Sequence, residues 1–72
     1  MSTTYTKQMK EVETGDVLVE EDGFMWSVKA TRYHHPRVTL SLEPVYPSMT
    51  AKAHNMTLHR SRNVRALQQE VR

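Results

Sequence analysis

The sequence predicts a small all-β domain of four to five antiparallel strands curved into a barrel. Three observations point there. Apolar residues recur with period two between Phe24 and Leu42, the alternation of a half-buried strand. Turn chemistry at Gly15, Gly23 and Pro36 punctuates the apolar runs. The chain has 72 residues and no cysteine, so neither a disulfide nor a thiolate metal site braces it. A sheet this small must close on itself to cover its apolar face and hide its edges.

The length sets one domain. A chain of this size buries roughly 60% of its unfolded surface, which makes the core small. Residues 1–8 are polar apart from Tyr5 and read as a disordered, flexible tail pinned at Tyr5 or Met9. The barrel is expected over residues 9–67, with a frayed C-terminus over 68–72. Thr14-Gly15-Asp16 is a turn, with Gly15 free to take positive φ. Val17, Leu18 and Val19 are mostly β-branched and favour a strand. Asp22-Gly23 lies between apolar runs and signals a hairpin.

The next run is the clearest in the chain. Phe24, Trp26, Val28 and Ala30 share one parity and are expected inward. Lys29, Thr31 and Tyr33 are expected outward. Pro36 cannot donate to a ladder and holds His35 extended, so the chain reverses there. A strand over Arg37 to Glu43 follows, with Val38, Leu40 and Leu42 inward and Arg37, Thr39 and Ser41 outward. Pro44 and Pro47 exclude a central strand over residues 44–54, which reads as a surface loop. Asn55 to Arg60 alternates again, with Met56 and Leu58 on one side. Val64 to Leu67 fits a short closing strand, and the spacing of Val64, Leu67 and Val71 also fits a helix stripe.

The order GDVL, DG, WSV, RVTLSL and TLHRSRNVRAL resembles small SH3-like β-barrels. It is similar in particular to short, largely uncharacterised barrel proteins from phages of actinobacteria. In those an opening Gly-Asp-hydrophobic strand, a Trp-x-Val strand and a closing Val-Arg strand recur. The resemblance covers about residues 12–67. It implies the fold and a non-enzymatic role, and it brings no ligand and no catalytic residue. The loop over residues 44–54 departs from the most compact barrels.

Composition narrows the chemistry. No stretch approaches the ~20 apolar residues of a membrane span, and the N-terminus lacks the apolar core of a signal peptide. The absence of cysteine suits a cytoplasmic setting. His34 and His35 are adjacent and point to opposite faces of a strand, while His54 and His59 are five residues apart. Neither pair presents two imidazoles to one ion at a bonding distance of ~2 Å, so no metal is expected. There is no nucleophile elbow, and Glu20, Glu21 and Asp22 sit in a turn where carboxylates make poor general acids. A closed small barrel leaves no room for a pocket of ~300 Å³. Gly15 and Gly23 form no phosphate loop or dinucleotide fingerprint. No enzyme activity, cofactor or small-molecule substrate is expected.

Binding remains. Residues 1–43 carry five basic and seven acidic side chains, a net of −2, whereas residues 44–72 carry five and one, a net of +4. Nucleic acid, DNA or RNA, is the expected partner. Its candidate contacts are Lys29, Arg32, Tyr33, His35 and Arg37 around the hairpin tip, extended by Arg60, Arg62 and Arg65. Cations grip phosphate, and a tyrosine stacks on a base for ~1–3 kcal/mol. The alternative is a protein partner, such as a host protein modulated by a phage product, held through Tyr46 and Met49 in the VYPSM loop. The acidic stretch from Glu11 to Asp22 favours that alternative. The bland reading of the same tip is a solvated turn on a half-exposed sheet.

Overall fold

The structure, a computed structural model, describes residues 4–46 and 50–68. It is all-β, with six strands: β1 (Thr4–Gln8), β2 (Val17–Val19), β3 (Met25–His34), β4 (Arg37–Pro44), β5 (His54–His59) and β6 (Asn63–Leu67). One 3-10 turn, Met9–Glu11, follows β1. All pairings are antiparallel, and the strands form one sheet in the order β1-β6-β2-β3-β4-β5. No helix among the described residues is long and apolar enough to cross a membrane.

The inner face follows from cross-strand pairing, because opposed residues point the same way. Leu18, Trp26, Val28, Val38, Leu40, Leu42 and Ala66 are buried on it. Met56, Leu58 and Val64 pack against them. The alternation over β4 is as expected, with Val38, Leu40 and Leu42 all buried. Trp26 is sheltered, and its indole N–H donates to Glu20 Oε1 at 2.7 Å. Residues 64–67 lie in a strand, not a helix. Gly15 and Gly23 have φ of +100° and +89°, a region that side chains with a Cβ resist. The predicted reversal after β3 occurs at His35-Pro36, whose peptide bond is cis.

Four expectations are corrected. First, there are six strands rather than four or five, because Thr4–Gln8 is a strand and not a disordered tail. It pairs along its length with β6, from Thr4–Leu67 to Gln8–Asn63. Its polar side chains hid it, yet backbone groups alone suffice to cover a sheet edge. Met9, just beyond it, is fully buried, and its N–H donates to the Arg62 carbonyl at 2.8 Å.

Second, the sheet is not closed into a barrel. β1 and β5 are its edges. It curls far enough that Thr6 of β1 and Met56 of β5 line the same cleft. Curling covers the apolar face without joining the edges. Third, that opening leaves a cleft of about 690 Å³, which the closed barrel had excluded.

Fourth, a β-bulge reverses parity in the middle of β3. Val28 pairs with Leu42, but Ala30 pairs with Ser41. Lys29 is the extra residue, and such an insertion shifts everything beyond it to the other face. Ala30 is therefore exposed rather than inward. Thr31 and Tyr33 oppose Leu40 and Val38 and lie on the inner face, not the outer one. Arg32 and His34 take the outer face with Thr39 and Arg37. Met49 and Val71 lie outside the described residues.

Lys7 ties β1 to the turn before β2. Its Nζ lies 2.9 Å from Asp16 Oδ2, with the two side chains 14% and 19% exposed. The same oxygen accepts the Glu13 N–H. Burial, the largest influence, pulls the Lys7 pKa down, but Asp16 and Tyr5 together outweigh it and raise it above the ordinary 10.5. A raised cation pKa adds stability below the unfolded value, lost as pH rises through the folded one. Lys7→Met is therefore expected to destabilise the protein by about 1–2 kcal/mol at neutral pH. Urea midpoints of the two proteins should converge once pH climbs well past 10.5. A gap of constant size throughout would assign the loss to packing rather than to the ion pair.

Candidate nucleic-acid interface

The end of the sheet where β3 turns into β4 gathers most of the predicted contacts. His34 opposes Arg37, and Arg37 opposes His59 on β5, so these side chains form one row across the outer face. Arg32 opposes Thr39 one step further along. Thr39 and Thr57 share a hydroxyl hydrogen bond of 2.8 Å on that face.

The inner face contributes at the same end. Tyr33 lies beyond the edge of the core and is 53% exposed. Arg60, from the turn between β5 and β6, donates to the Tyr33 hydroxyl at 3.4 Å. That hydroxyl also lies 3.1 Å from His35 Nδ1. The turn itself is fixed by backbone hydrogen bonds. Arg60 N–H donates to the Pro36 carbonyl at 2.8 Å, and Lys10 N–H donates to the Arg60 carbonyl at 3.0 Å. His59 Nδ1 accepts the Ser61 N–H and lies 2.8 Å from its hydroxyl.

Arg32, Tyr33, His35, Arg37, Arg60 and Arg62 thus belong to one end of the molecule. Lys29 does not. It sits in the bulge, five residues or about 17 Å along the strand from His34. Arg65 is also elsewhere, opposite Thr6 on β6 and lining the cleft. Tyr46 is 60% exposed but follows Pro44 at the opposite end of β4. Sequence reasoning left out Lys10 and His59, which the 3-10 turn and β5 bring to the tip. Only the backbone pairing in the folded chain reveals them.

The charges separate along the strands. At the far end lie Glu20, Glu21 and Asp22 in the turn between β2 and β3, and Glu43 near the end of β4. Among the described residues, none of Arg32, Arg37 and Arg62 makes an ion pair. Their cationic groups are exposed and uncompensated. A surface with several such cations, hydroxyls and an exposed ring can hold phosphates and stack a base.

The cleft is a separate, concave feature. Leu18, Trp26, Leu42 and Met56 form its floor, with Glu21 and Asp22 on its rim. His54 packs edge-on against Trp26 with centroids 4.6 Å apart. Comparison with known proteins gives no match: no family model, curated protein or solved structure matches the chain.

Proposed function

We propose that the protein is a non-enzymatic module that binds nucleic acid, DNA or RNA, through the basic tip. The observation that carries this reading is the convergence of Tyr33, His35 and Arg60 on one hydrogen-bonded cluster, with Arg32 and Arg37 on the opposite face of the same end. Hydrogen bonds hold the Tyr33 ring in place before any ligand arrives. The arginines, lacking carboxylate partners, present their full charge. A cytoplasmic location and kinship with small SH3-like barrels belong to the same proposal. The absence of cysteine supports the first, and a curled antiparallel sheet with a sheltered indole supports the second.

Fluorescence anisotropy with a labelled single strand tests it. Binding should weaken as salt rises, with a log–log slope of about −0.7 per phosphate neutralised. A handful of contacts gives a slope near −3. No binding of any single or double strand at low salt would remove this reading.

The exposure of Tyr46 supports a second reading, recognition of a protein such as a host factor. A partner held there should lose affinity by tenfold or more with Tyr46→Ala, about 1.4 kcal/mol. The salt dependence should be shallow. Capture that is unchanged by Tyr46→Ala would discard that surface.

A further inference from the structure

We propose that the acidic-rimmed cleft receives the basic tip of a second copy of this chain, so that the protein associates head to tail. The cleft is open, about 690 Å³, and floored by Leu18, Trp26, Leu42 and Met56. That volume lies in the range that accepts a large side chain and its neighbours. Glu21 and Asp22 stand on its rim, exposed, and neither makes an ion pair among the described residues; with Glu20 they outnumber Arg65, the one arginine of the lining.

The tip supplies the complement. Tyr33 is a large ring 53% exposed, with Arg60 against its hydroxyl and Arg32 next to it in the strand but on the opposite face. Entry of the ring covers the apolar floor while the Arg60 guanidinium meets the rim carboxylates. Tyrosine and arginine are the residues that anchor such contacts.

A copy cannot fill its own cleft. Met25 and His34 are the two ends of β3, separated by about 30 Å of continuous strand. The rim carboxylates, in the turn before Met25, and the tip lie at those opposite ends. The contact is therefore heterologous, and it builds a ring or a growing chain rather than a twofold dimer. It uses part of the surface proposed for nucleic acid but does not depend on that reading.

Sedimentation of nuclease-treated protein, up to about 1 mM, tests it. The sedimentation coefficient should rise with concentration at about 0.05 M salt and much less at about 0.5 M. Two charge-reversed variants sharpen the test. Glu21→Lys with Asp22→Lys destroys the cleft rim and keeps the tip. Arg32→Glu with Arg60→Glu does the reverse. Each alone should be monomeric. Mixed in equal amounts, they should form a one-to-one dimer that grows no further, because only one competent tip and one competent cleft remain. A wild type that stays monomeric throughout overturns the proposal. So do variants that associate like the wild type, or a mixture that stays monomeric.

Discussion

Leu40→Ala is expected to cost about 2–5 kcal/mol, a large share of the folding stability. Leu40 is fully buried in β4, a strand with a neighbour on each side. It faces Met56 across one ladder and Thr31 across the other. Thr31 is too short to refill the space of a missing isobutyl group, and any shift of Met56 into it uncovers other apolar surface. Folding stability runs at about 0.05–0.15 kcal/mol per residue, so a 72-residue chain has about 4–11 kcal/mol to lose. Thr39→Ala, on the opposite face, removes only an exposed hydroxyl pair with Thr57 and should cost about 1 kcal/mol. Urea unfolding followed by Trp26 fluorescence reads both. Equal losses at the two positions would mean that β4 does not divide an inner from an outer face.

Changing Arg32, Arg37 and Arg60 together to alanine should weaken oligonucleotide binding about a hundredfold at low salt. The figure follows from about 1 kcal/mol for each lost phosphate contact. The salt slope should also become shallower by about 2, since three fewer counterions are released from a single strand. Stability should change little, because the three side chains are exposed. Arg65→Ala serves as the internal comparison. It removes the same charge from β6, opposite Thr6, and should change affinity by no more than about twofold through its long-range field. If Arg65→Ala weakens binding as much as each tip arginine does, net charge rather than the tip governs the interaction.

Much of the fold was legible in the sequence. Period two marked Trp26, Val28, Val38, Leu40 and Leu42 for burial, and all are buried. Glycines at 15 and 23 marked two places where φ turns positive. What escaped has physical causes. The bulge at Lys29 needs no special residue, so nothing in KATRY announces that parity reverses there. Tyr33 and Thr31 were consequently read onto the wrong face. β1 was missed because TYTKQ carries little apolar signal, and its place depends on backbone pairing with β6.

Closure was beyond reach for a similar reason. Periodicity tells which side of a strand is buried, not whether two edges meet. An open sheet left a cleft where a closed barrel would have had none. The tip was half legible. Arg32, Tyr33, His35 and Arg37 are neighbours in sequence, so their grouping was readable. Arg60 meets Tyr33 from 27 residues away, and only the stacking of two turns at one end of the sheet brings them together. Lys29 was assigned to the same surface by outward parity and Arg65 by charge, and the strand register separates them from it.

The most direct test is an amide chemical-shift titration of the protein with a short oligothymidylate at low salt. The proposed interface predicts fast, saturable shifts centred on Arg32 to Arg37 and His59 to Arg62, with Glu20 to Phe24 and Tyr46 unmoved. An unchanged spectrum, or shifts concentrated at the acidic end, would contradict it.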